Sequence, residues 1–100
     1  MTSTLSIAAE ELVLCSENNS VYYPQIVRTL GKFHKAGTFS KDRAEPYIHK
    51  YLLMPVARDQ VGSRSTAAVN AAFPRVDRMA AAEAISDGLV YEFRMGNYWD

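Results

Sequence analysis

Apolar residues recur at steps of three and four along most of this chain, the spacing of one buried helix face. Ser6 is placed to cap a first helix that runs to about Glu17, with Ala8, Leu12 and Cys15 on its inner stripe. Asn18-Asn19-Ser20 breaks the pattern and supplies the next cap. The second helix turns Tyr23, Ile26, Val27, Leu30 and Phe33 inward, with Pro24 in its first turn, where no amide is needed. Gly37 falls where a helix commonly ends at positive φ, and Lys32, His34 and Lys35 fill the last turn. Ser40 or Asp42 caps the third helix, and Asp42 with Glu45 is spaced as a capping box. Its inner stripe is Tyr47, Ile48, Tyr51, Leu52 and Val56, and Pro55 predicts a kink or an early end. Gln60 to Ser65, with Gly62, reads as a loop, and Thr66 to Ala72 as a short helix capped by Ser65. Pro74 opens a last helix from about Arg75 to Phe93 or Arg94, with Val76, Met79, Ile85, Leu89 and Phe93 inward. Gly88 within it costs about 1 kcal/mol relative to Ala, unless the helix bends or pairs closely there. Leu89 to Phe93 also fits a strand, but no other segment shows the period of two needed for a partner. The expectation is an all-α protein: one domain, 1–100, folded as a compact bundle of four to five helices.

Composition narrows the class. An apolar content of 48% over 100 residues is enough for one small core. No apolar run approaches the roughly 20 residues that span a bilayer, and the N-terminus lacks the basic and apolar regions of a signal peptide. Cys15 is alone, so no internal disulfide can form. A reducing cytoplasm, with no membrane partner, is the expected setting.

Zero net charge conceals an uneven order. Residues 1–19 carry Glu10, Glu11 and Glu17 with no base. Residues 20–75 hold nine bases against three acids, and residues 76–100 five acids against two bases. If the two ends pack together, one face of each sign results.

Catalytic chemistry finds little footing. His34 and His49 lack the spacing of a helical metal pair, so neither metal nor cofactor is expected. Cys15 has no neighbouring base to stabilise a thiolate. Glu10-Glu11 and Glu83/Asp87 read as solvated acids rather than general acid–base pairs. Five residues separate Gly31 from Gly37, where a phosphate loop needs four followed by Lys. No nucleophile elbow or dinucleotide fingerprint is present. The chain reads as a binding protein and not an enzyme. One candidate surface is acidic and aromatic: Glu83, Asp87, Glu92, Tyr98 and Trp99. The other is the basic hairpin of Arg28, Lys32, Lys35, Lys41, Arg43 and Lys50, suited to nucleic-acid phosphates.

Tyr22/Tyr23, then Lys35, Gly37, Thr38, Phe39 and Ser40, then Arg43, Ala44, Tyr51 and Leu52 form a further pattern, continued by Phe73 and Gly96-Asn97-Tyr98. It resembles a group of small helical proteins of phages and mobile elements, departing from them at Ser40, where Asp is usual, and at Pro46 and Pro55. In size and lack of catalytic motif the chain is also similar to small anti-CRISPR proteins, including inhibitors of type I surveillance complexes, which act by occupying a surface. The resemblance implies a bacterial host cell. It also implies a host protein or nucleoprotein partner, with a CRISPR–Cas effector as the specific case. The alternative is a nucleic-acid-binding accessory protein of a mobile element. Either would act as a monomer or homodimer.

Overall fold

Short polar side chains set where the helices begin. In the computed structural model, which describes residues 5–96, Ser6 Oγ accepts the Ala9 amide at 3.0 Å and starts α1 (Ile7–Glu17). Asn19 Oδ1 accepts the amides of Val21 at 3.0 Å and Tyr22 at 2.6 Å, ahead of α2 (Tyr22–Lys35). Ser40 Oγ caps α3 (Lys41–Ile48) through the Arg43 amide at 3.3 Å. Because Ser40 holds the cap, the third helical residue is Arg43, so the Asp42–Glu45 capping box does not form. Glu45 instead lies 3.8 Å from Lys41. Beyond α4 (Met54–Val61), Ser65 Oγ caps α5 (Thr66–Ala72) through the Ala68 amide at 3.3 Å. The last helix, α6, spans Arg75–Arg94.

Glycines close α2 and α4, as Gly96 does α6. Gly37 takes φ 76°, letting the Thr38 amide reach the Phe33 carbonyl at 2.9 Å. Gly62 takes φ 73° and ends α4 in the same way, through the Arg58 carbonyl. Both conformations are strained for residues with a Cβ.

The middle of the chain is one continuous rod despite two prolines. α3 passes into a π-helical turn (His49–Leu53) and then into α4. The Met54 amide donates to the His49 carbonyl five residues back. Pro55 lacks the amide that would have bonded Tyr51, so the expected kink appears as a wider turn just before it. The inserted residue brings both Leu52 and Leu53 to the core, each fully buried, while Tyr51 is left 48% exposed.

The core is contributed by every rod: Leu12, Ile26, Leu52, Val69 and Phe93 are among its buried members. Full burial of each large apolar side chain contributes about 1.5–3 kcal/mol. α6 packs along both α1 and α3. Small residues on both sides permit that approach, with Ala9 and Ser16 buried on α1, and Ala81, Ala82 and Ser86 on α6. Three expected inner residues fall outside. Val76 is 74% exposed because it lies nine residues from Ile85, about two and a half turns, and so on the opposite side of α6. Phe33 is 47% exposed on a shoulder of α2, because the buried side of Ile26, Val27, Leu30 and Gly31 is centred away from it. Tyr51 is displaced by the π turn. Leu89 to Phe93 is helical, and no strand occurs among the described residues. The result is an all-α bundle of five helical rods, with a radius of gyration of 13.3 Å, close to the ~13 Å of a compact chain of this length. No described helix is long and apolar enough to cross a membrane.

Candidate interaction surfaces

The two acidic ends of the chain do meet. Ser6 Oγ donates to Asp77 Oδ1 at 2.7 Å, tying the start of α1 to the start of α6. The acids singled out on α6 do not, however, share one face. Glu83 and Asp87 are one turn apart, whereas Glu92 follows Glu83 by about two and a half turns. Asp87 Oδ1 lies 2.9 Å from Lys41 Nζ, so a base of the hairpin sits on the acidic patch. That hydrogen bond is the main reason the Lys41 ammonium is held above the usual lysine range. Glu92 belongs to another corner, with Glu17 and Tyr23. There the Tyr23 phenol is pushed up to about 12 by burial first, then by the charges of Glu17 and Glu92. Burial also raises the Glu17 carboxyl. Tyr98 and Trp99 lie outside the described residues.

A different acidic surface emerges on α1. Its inner side is Ala9, Leu12 and Ser16, so its outer side carries Ile7, Glu10, Glu11 and Leu14. Ile7 is 86% and Leu14 59% exposed, two apolar anchors two turns apart with both glutamates between them. The sequence holds this signal in the seven-residue spacing of Ile7 and Leu14. Assigning Ala8 and Cys15 to the core, when both are only half-buried, concealed it. Leu5 lines a shallow cleft of about 350 Å³ with Glu83, Ala84 and Asp87, so the α6 acids border this end of α1.

The six hairpin bases separate into three groups. Arg28, Lys32 and Lys35 lie within one outward quadrant of α2, all exposed. Lys41 turns to Asp87. Arg43 and Lys50 flank Tyr47 on α3 and the π turn. Tyr47 and Tyr51 pack at 4.7 Å between ring centroids, and Lys50 Nζ stands 5.2 Å from the Tyr51 ring.

Both histidines have structural surroundings. His34 packs with Phe39 and Phe93, at 6.3 and 5.4 Å between centroids, which fastens the hairpin to α6. His49 meets a residue the sequence did not single out. Arg78 is only 4% exposed and donates from Nε to His49 Nε2 at 3.1 Å. Its Nη1 donates to Asn70 Oδ1 at 2.6 Å and to the Phe73 carbonyl at 2.7 Å. One guanidinium thus joins the π turn, α5 and α6. Accepting from Arg78 requires His49 to be neutral. Burial, then Arg78 and Arg75, push its pKa below the usual histidine value. Burial and Arg75 lower Arg78 as well. Nothing in local sequence marks Arg78, because its acceptors come from two segments, the π turn and the C-terminal end of α5, that only the fold brings together. Among the described residues no cluster of His, Cys, Asp or Glu is suited to a metal ion.

Comparison with protein families, with curated proteins and with solved structures finds no match to this chain.

Proposed function

We propose that this chain is a non-enzymatic protein that binds a host protein or nucleoprotein complex and occludes it, with the outer face of α1 as its main contact. One observation carries the proposal: Ile7 and Leu14 stand exposed around Glu10 and Glu11, at the end of the chain whose first 19 residues contain no base. Exposed aliphatic side chains on one helix face, rimmed by charge, mark a protein interaction surface. The sign of the charge selects a basic partner surface. A channel lined with Lys and Arg for nucleic acid is such a surface, and a CRISPR–Cas surveillance complex of the kind suggested by the sequence resemblance contains one. Charge pairing would speed encounter and reject acidic partners, while the two aliphatic side chains would slow release. Glu83, bordering the same end of the bundle, extends the acidic surface. Asp87 contributes less because Lys41 already pairs with it.

Displacement of target duplex from a type I surveillance complex, followed by gel mobility shift, tests the proposal. The wild-type chain should release the duplex. The Glu10→Lys/Glu11→Lys pair and Leu14→Asp should each weaken release by about tenfold or more, the scale of an interface hot spot. Undiminished release by both variants would remove α1 from the contact. Failure of the wild-type chain to displace duplex would remove this class of partner.

A further inference from the structure

The valley between α2 and α3 carries a second recognition chemistry, on helices other than α1. Leu30, Phe39 and Ala44 contribute to its apolar lining, with Phe33 on the α2 side and Tyr47 on the α3 side, and the groove between them is about 190 Å³. Thr38, Ser40 and Arg43 bring polar groups to the same groove. The aromatic surface then continues from Tyr47 to Tyr51 across their 4.7 Å contact. Arg43, Tyr47 and Tyr51 succeed one another at four residues, and Lys50 follows Tyr47 at three, so bases and rings interleave along one side of the rod. Asp42 and Glu45 project from other sides of α3. Among the described residues neither Arg43 nor Lys50 makes an ion pair, and Lys50 lies over the Tyr51 ring. Nearly half of the Phe33 and Tyr51 surfaces remain in water.

We infer that this valley binds single-stranded nucleic acid. Three features select that occupant. Phe33 and Tyr51, each half exposed, offer stacking faces for unpaired bases, which a duplex does not present. Arg43 and Lys50 supply the positive charge for the intervening phosphates, and Ser40, whose oxygen caps α3, has its hydroxyl proton to donate at one end. At about 190 Å³ the groove has room for a single flat ring rather than for the side of a helix. An acidic peptide would satisfy the two bases but would leave the exposed face of the Tyr51 ring, tilted 44° against Tyr47, without a matching flat surface. The outward bases Arg28, Lys32 and Lys35 lie on the neighbouring side of α2, where a longer strand could continue.

Fluorescence anisotropy with a labelled oligothymidylate of about eight nucleotides tests the site. Binding should be measurable at low salt. With two phosphates neutralised, the slope of log affinity against log salt should be about −1.4. Tyr51→Ala and Phe33→Ala should each weaken binding about tenfold, as expected for loss of one stacking platform. Both residues are already half in solvent, and unchanged circular dichroism would establish that the variants fold. Arg43→Gln should reduce the slope by about 0.7. A duplex of the same sequence should bind more weakly. The inference is overturned by no binding at low salt, by binding indifferent to both aromatic substitutions, or by preference for a Phe-containing poly-glutamate peptide at the same residues. The α1 substitutions should leave oligothymidylate binding unchanged, so failure here and failure of the α1 contact are separable.

Discussion

Replacing Arg78 by Met keeps the length and apolar stem of the side chain and removes its three hydrogen bonds to His49, Asn70 and Phe73. Bonds from a charged donor contribute about 1.5–3 kcal/mol each, but sequestering a guanidinium from water offsets much of that gain. The acceptors differ in what they lose. Asn70 is exposed and regains water, and half-buried His49 regains it in part. The Phe73 carbonyl belongs to a residue only 5% exposed; left unpaired it costs about 1–3 kcal/mol. Adding a smaller loss at His49, we expect Arg78→Met to destabilise the protein by about 2–4 kcal/mol, a large share of the ~5–15 kcal/mol typical of a folded domain. Arg78→Lys should recover less than half, because one ammonium cannot reproduce a planar fork directed at three acceptors. Urea unfolding followed by far-ultraviolet circular dichroism measures both. A Met variant within about 0.5 kcal/mol of wild type, or full recovery by Lys, would refute the view that this guanidinium clamps the π turn to α5 and α6.

Other substitutions and conditions test separate parts of the structure. The His49 pKa lies below its unfolded value of 6.5, so the unfolded chain takes up the proton first and stability must fall with pH below 6.5, levelling off beneath the folded pKa. The urea midpoint of wild type relative to His49→Gln should fall over that window; a flat difference would contradict the neutral acceptor role. Gly88→Ala should gain up to about 1 kcal/mol in thermal or urea unfolding, because an added Cβ meets nothing within 4 Å and the position is helical and exposed. A loss there would reveal a packing role for the glycine. Among the described residues the hydroxyls of Ser16 and Ser86 are buried without a hydrogen-bond partner, so Ser16→Ala and Ser86→Ala should each be neutral within about 0.5 kcal/mol or stabilising. A loss above about 1 kcal/mol in either would expose a polar contact of that oxygen.

Local signals in the sequence carried much of the architecture. Ser6, Ser40 and Ser65 bond amides only three residues ahead, and Gly37 closes α2 through a carbonyl five residues before Thr38. Such features depend on neighbours in the chain and are readable without tertiary structure. Where three-dimensional context decided, the pattern misled. The π turn shifted which side of the rod faces inward, exposing Tyr51 and burying Leu53. Val76 matched an apolar series but stands half a turn from the face that α1 and α3 select. On the surface, opposite charges far apart in sequence met at Lys41 and Asp87, and Glu92 was drawn to the corner of Glu17 and Tyr23. The acidic character of the N-terminal segment was legible at once. Its pairing with Ile7 and Leu14 became apparent only when α6 defined which side of α1 is buried.

Amide hydrogen exchange on the chain, alone and bound to a type I surveillance complex, tests the central claim most directly. The account predicts added protection concentrated in α1, Ile7–Glu17, accompanied by loss of target-duplex binding by the complex. Unchanged exchange across α1, with duplex binding intact, would contradict it.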